Sequence, residues 1–197
     1  MTGAGSAGSP STDVLLLRHA ESVWNMEGRW QGRADPALSA SGRAAATRAG
    51  RRLAPLPLVV SSNLVRARET ARLIIRTWTH TRLAWVTPAL AERAVGPWQG
   101  LTGAQIEARW PGYLARHARP DGFEADESVL QRLRSALAII ERDCGGGQVL
   151  CVTHGGLIHA LESWAGLPRV RLGNLSGRWV VLRDGAITLG TREERAV

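Results

Sequence analysis

The sequence contains no lysine; all 25 of its basic residues are arginine, set against 17 acids for a formal charge of +8. A chain without lysine forms no Schiff base, holds no pyridoxal phosphate covalently and completes no Walker A loop. Arginine throughout, with abundant Ala and Gly, reflects GC-rich coding rather than a chemical need. Cysteine is scarce as well. Cys144 and Cys151 have neither metal-ligand nor CxxC spacing, which excludes a cysteine zinc module and a dithiol redox motif. Cys151, in the apolar run QVLCVTH, is expected in a buried strand, and Cys144, before Gly145–Gly147, near a helix end; a reducing compartment fits both. The histidines and acids lack metal-ligand spacing such as HExxH, so no metal and no cofactor are expected. No segment approaches the ~20 apolar residues that span a bilayer. The opening MTGAGSAGSPST has neither the basic nor the apolar region of a secretory signal. The expectation is a cytoplasmic protein with no membrane partner.

What is present fits one domain. A chain of 197 residues buries roughly 70% of its unfolded surface on folding. A flexible tail is expected over 1–12, a single catalytic domain over 13–190 and a C-terminal tail over 191–197. The arginine surplus suits anions, yet Arg43, Arg48, Arg51 and Arg52, like Arg68, Arg72 and Arg76, read as solvated helix faces. No aromatic-interleaved basic run accompanies them, so nucleic acid is not an expected partner. Oligomeric state is left open, with a homodimer as one option.

Apolar runs of strand length occur at Asp13–His19, Leu58–Ser62, Leu83–Val86 and Gln148–Thr153. Helical spacing follows from Ser39, an N-cap, to about Leu53, then at Leu64–Trp78, near Thr102–Trp110, and at Glu127–Asp143. In the last of these Val129, Leu130, Leu133, Leu137 and Ile140 form one apolar stripe. A helix runs from the glycines after His154 through Trp164, and Gly177–Leu182 with Ala186–Leu189 makes a closing hairpin around Asp184-Gly185. Alternating strands and helices predict an α/β fold, a three-layer α/β/α sandwich with a mostly parallel central sheet.

Ligands of such folds sit at the carboxyl ends of strands, where Arg18-His19, Ser61-Ser62 and Thr153-His154 fall. The small neighbours Ala20 and Gly155-Gly156 would let a substrate approach. Arg18 and Arg66 offer planar forks for phosphate oxygens, and helix N-termini after Ser62 and His154 would add backbone donors. These features together predict a phosphate site.

Five segments in order then resemble the histidine phosphatase superfamily, which includes the cofactor-dependent phosphoglycerate mutases. They are Leu17-Arg-His-Ala-Glu-Ser-Val-Trp-Asn25; Gln31-Gly32 with Asp35 and Leu38-Ser-Ala-Ser-Gly42; Ser62-Asn-Leu-Val-Arg66-Ala67 with Thr70-Ala71; Leu90-Ala-Glu92 with Gly96-Pro-Trp-Gln-Gly100; and Thr153-His154-Gly-Gly156. The resemblance implies that His19 is a nucleophile giving a phosphohistidine. It implies that Arg18, Arg66 and a protonated His154 surround the phosphoryl group. Ser22, Asn25, Gln31 and Gly155 would add neutral contacts to it. Glu92 would protonate the leaving alcohol and later activate water, with activity peaking on the acid side of neutrality. Ala20 stands where glycine is commonest, and Gln99 where many relatives carry glutamate.

The function implied is a metal-independent phosphomonoesterase acting on a small phosphorylated metabolite. The alternatives are a cofactor-dependent phosphoglycerate mutase, a phosphoprotein phosphatase and a non-catalytic phosphate-binding module. The short Gly103–Asp126 lid leaves water access to a phosphohistidine, which favours hydrolysis over mutase chemistry. Trp24 and Trp30, with Trp98 as a third candidate, could wall the pocket. His80, His117 and His159 lie in no matching motif and are expected to be surface or packing residues.

Overall fold

The computed structural model describes residues 10–194, so most of the two expected tails lies outside the described residues. Within them the chain alternates β1 (Thr12–Arg18), α1 (Val23–Met26), α2 (Ala40–Arg52), β2 (Leu58–Ser62), α3 (Val65–Ile75) and β3 (Arg82–Thr87). It continues through α4 (Gly103–Arg109), α5 (Asp126–Cys144), β4 (Gly147–Thr153), α6 (Gly155–Trp164), β5 (Gly177–Arg183) and β6 (Ala186–Glu193). Ser39 caps α2 as expected, its hydroxyl accepting from the Gly42 N–H at 2.9 Å.

A six-stranded sheet in the order β3-β2-β4-β1-β5-β6 divides the molecule. The strands from β3 to β1 pair in parallel, while β5 and β6 run antiparallel. Strand alternation assigns the two faces. Val14, Leu16, Val149 and Cys151 pack with Leu133, Leu137 and Ile140 of α5 and with Leu157 and Leu161 of α6. Leu15, Leu17, Leu150 and Val152 pack with Ala46 and Ala49 of α2 and with Ala67, Ala71 and Ile74 of α3. The three-layer α/β/α sandwich is therefore observed. No described helix is long and apolar enough to cross a membrane.

The expected C-terminal tail from residue 191 begins too early. Strand β6 runs on to Glu193, which pairs with Gly177. Arg192 there is anchored by Glu162 at 3.3 Å and by the Val170 carbonyl at 2.9 Å. The segment between β3 and α5 gathers a third apolar cluster, in which Val95, Trp98 and Ile106 pack with Trp30, Tyr113 and Phe123. This cluster stands over the carboxyl edge of the parallel strands.

Candidate active site

Sheet register brings the site together. Arg18 ends β1 opposite Thr153 at the end of β4, and the His19 N–H donates to the Thr153 carbonyl at 3.0 Å. The rings of His19 and His154 consequently lie 5.1 Å apart between centroids. On the other side of β4, strand β2 pairs Ser61 with Val152, which sets Ser62 beside His154. Helix α3 then delivers Arg66, which is fully buried.

The orientation of His19 is fixed by its neighbour. Nδ1 lies 2.6 Å from the Ala20 carbonyl, an acceptor only, so the proton sits on Nδ1 and the lone pair on Nε2. Arg66 Nε donates to that lone pair at 3.3 Å. Burial, then the charges of Arg66 and Arg18, hold the His19 pKa well below the usual histidine range. The ring is thus an unprotonated base with its nucleophilic nitrogen against an arginine.

Arg66 is held on its other edges by the Ala34 carbonyl at 2.7 Å and the Gly32 carbonyl at 3.0 Å, with Asp35 at 4.0 Å. Burial pulls its pKa down to about 10, against the opposing charges of Glu92 and Asp35. It therefore remains cationic at neutral pH. Burial likewise lowers Arg18, which donates to the Leu172 carbonyl.

His154 departs from the protonated donor expected of it. Burial, then the charges of Arg66, His19, Arg18 and Arg132, push its pKa well below the usual range, so the ring is neutral. A neutral ring still donates once. The Ser62 hydroxyl oxygen accepts from the Leu64 N–H at 3.2 Å and lies 2.8 Å from His154 Nε2. The other ring nitrogen, Nδ1, is buried with no hydrogen-bond partner among the described residues. Ser62 is thus a positioning residue that the sequence reading noted only as a strand end.

Glu92 faces the same cleft as His19, Arg18 and Arg66. Its carboxylate accepts from the Arg93 N–H at 2.8 Å and the Gly156 N–H at 3.2 Å. A Cβ on Gly156 would come 2.2 Å from Glu92 Oε1, so that glycine gives room to Glu92. At each of the two helix N-termini one expected anion donor is taken by a protein carboxylate. Glu92 takes that of α6, and Asp35 takes the Val65 N–H of α3 at 2.7 Å.

Asn25, Gln31 and Gly155 line the cleft, but Ser22 does not. Ser22 is fully buried, and its hydroxyl is shared between Asn25 Oδ1 at 3.1 Å and Gln31 Oε1 at 2.9 Å. It caps α1 and orients the two amides, whose oxygens are thereby engaged and whose NH₂ groups, unpaired among the described residues, can donate to a ligand. Ala20 does not face the cleft either. It packs in the core, with its N–H on Thr70 Oγ1 at 3.0 Å. Of the tryptophans, Trp30 and Trp98 wall the cleft, whereas Trp24 packs behind Gly100.

The sequence reading missed several neighbours. Asn174 donates to the His19 carbonyl at 3.0 Å and to Asn25 Oδ1 at 3.2 Å. Its position follows from the antiparallel entry of β5, where Gly177 sits opposite Leu17, so the residues before β5 arrive at the active edge. His117 and His159, expected to be surface or packing residues, both line the cleft, as does Arg169. The cleft encloses about 560 Å³. Among the described residues no three His, Cys, Asp or Glu side chains are grouped as a metal site.

The chain matches the histidine phosphatase superfamily (branch 1) over residues 14–189. It is 37% identical to a glucosyl-3-phosphoglycerate phosphatase of Mycobacterium tuberculosis, over 84% of this chain and 86% of that protein. It is 36% identical to a metal-independent phosphoserine phosphatase of Arabidopsis thaliana, over 78% of this chain and 68% of that one. A solved mycobacterial glucosyl-3-phosphoglycerate phosphatase in complex with VO3 superposes with a TM-score of 0.77 at 31% identity, covering 94% of this chain and all of the other. On the match over most of its length, this chain belongs to the histidine phosphatase superfamily, branch 1.

Proposed function

We propose that this histidine phosphatase hydrolyses a small phosphate monoester through a phosphohistidine on His19, with no metal taking part. The observation that carries this reading is the fixed tautomer of His19, whose Nδ1 is tied to the Ala20 carbonyl while Nε2 keeps its lone pair beside Arg66. Nε2 attacks phosphorus as the bond from phosphorus to the ester oxygen breaks. Glu92 gives that oxygen its proton, and the ester departs as an alcohol. Water then attacks the phosphohistidine, Glu92 takes the water's proton, and His19 is restored with release of inorganic phosphate. Arg18 and Arg66 stabilise the equatorial oxygens in both steps, with His154, packed beside His19, as a further donor. Asn25 and Gln31 supply neutral donors.

Substrate size follows from the cleft. About 560 Å³ is in the range of small-molecule sites, and the relatives above are named for glucosyl-3-phosphoglycerate and phosphoserine, both small metabolites. Phosphate release from 4-nitrophenyl phosphate is expected to survive excess EDTA. Activity abolished by EDTA and restored by a divalent cation would overturn the metal-free reading. Isomerisation of phosphoglycerate faster than phosphate release would move the assignment to a mutase.

The pH profile provides a second check. A histidine of lowered pKa keeps its lone pair as pH falls through the ordinary value of about 6.5, so protonation of His19 removes activity only at much lower pH. After allowance for the ester's own second ionisation near ~6, kcat/KM is expected to hold from neutrality down past pH ~6.5. A fall of tenfold per pH unit with its midpoint at the ordinary histidine value would show a solvated nucleophile and overturn this placement.

A further inference from the structure

Glu92 lies on an irregular segment between β3 and α4. A carboxyl group on a free loop would spend little time in line with a breaking bond. This segment, however, is held at three consecutive carbonyls just before the acid. Arg132 of α5 donates through Nη1 to the Ala89 carbonyl at 2.9 Å and to the Ala91 carbonyl at 2.6 Å. The Leu90 carbonyl between them accepts from the Thr153 hydroxyl, at the end of β4, at 3.0 Å.

The other edge of the Arg132 guanidinium grips Glu124. Nε and Nη2 reach the two carboxylate oxygens at 2.8 and 3.2 Å, a bidentate fork. Glu124 also accepts from the Ala94 N–H at 2.9 Å, and its own N–H donates to the Ala94 carbonyl at 2.8 Å. The pair therefore holds the chain on both sides of Glu92. The two side chains are only 16% and 12% exposed, so this pair keeps one geometry better than a solvated pair does. Burial opposes the charge on Glu124, but hydrogen bonds from Arg132 and Ala94 outweigh it and hold its pKa below the usual carboxylate range. Neither Arg132 nor Glu124 lines the cleft, so neither reaches the substrate.

We propose that Arg132 and Glu124 form a clamp that positions Glu92 for proton donation to the leaving alcohol. The inference rests on the reading of Glu92 as the general acid. As the bond from phosphorus to the ester oxygen breaks, its electron pair stays on that oxygen, which takes the Glu92 proton. The need for the proton grows with the basicity of the leaving group. Loss of a clamp that serves the acid thus matters most for poor leaving groups, whereas loss of a general structural contact lowers the rate on all esters alike.

The test measures kcat/KM on phenyl phosphate and 4-nitrophenyl phosphate, whose leaving phenolates differ strongly in basicity. This parameter covers the steps through departure of the phenol, so the later activation of water by Glu92 does not enter. Glu92→Gln is expected to lose about 10²-fold on phenyl phosphate and less than about tenfold on the nitrophenyl ester. Arg132→Lys keeps the charge that also bears on His154 but loses the fork. It is expected to lose about tenfold or more on phenyl phosphate and less than about threefold on the nitrophenyl ester. In the Glu92→Gln background the same substitution should cost less than about twofold, because residues acting as a unit are not additive. Equal losses on the two esters in Arg132→Lys, or full additivity with Glu92→Gln, would overturn the clamp and leave Glu92 as the acid. Equal losses on the two esters in Glu92→Gln would remove the acid reading itself, and the clamp with it. If Arg132→Lys does not fold, Glu124→Gln, which keeps the shape of the side chain, decides by the same comparison.

Discussion

His19→Ala is expected to lower phosphate release from an aryl phosphate by about 10⁴-fold or more, the scale seen when a covalent nucleophile is deleted. The geometry leaves no substitute. His154 lies beside it, but its Nε2 is engaged by the Ser62 hydroxyl at 2.8 Å and its Nδ1 is buried. Binding should suffer much less, because Arg18 and Arg66 remain as cations and Asn25 and Gln31 keep their free amides. The measurement is acid-quench and base-quench trapping with labelled substrate. Wild type should yield a base-stable, acid-labile phosphoenzyme and the variant none. A labelled intermediate in His19→Ala, or a residual rate above one hundredth of wild type, would show that another group is the nucleophile.

Arg66→Ala is the second large effect, and it acts on rate and stability together. Deleting one transition-state donor from such a site costs about 10²–10³-fold in kcat, and Arg66 also touches the nucleophile itself at 3.3 Å. Its guanidinium holds the Gly32 and Ala34 carbonyls, which the truncation leaves buried and unpaired. Losing those partners costs about 1–3 kcal/mol per group, offset in part because a buried charge also disappears. The net loss of stability is expected to be about 2–4 kcal/mol, read from the urea midpoint. Arg66→Lys separates the two roles, since an ammonium keeps the charge but cannot serve the His19 nitrogen and two carbonyls with a planar fork. It should recover part of the stability and little of the rate. A rate loss under tenfold in a folded Arg66→Ala protein would place the phosphoryl group elsewhere.

The layers and the candidate edge were legible in the residue pattern alone. Apolar runs of strand length separated by helical stripes admit few arrangements, and the period of two in Val14–Leu17 already divides the faces that α5 with α6 and α2 with α3 come to cover. The polar residues that end those runs, His19, Ser62 and His154, must then lie along one edge when the strands are parallel. Local chemistry was equally legible where the partner is near in the chain, as with Ser39 capping α2. Tertiary structure decided whatever depends on distant partners. Whether Ser22 meets phosphate or orients Asn25 and Gln31 is a matter of which way a buried hydroxyl points, and no spacing encodes that. The protonation of His154 is set by burial and by Arg66, which lies far away in sequence on α3. Asn174 reaches the site because β5 enters antiparallel beside β1, and His159 because α6 lays one face along the cleft. An imidazole or a guanidinium is defined by what surrounds it, and those surroundings are assembled from the whole chain.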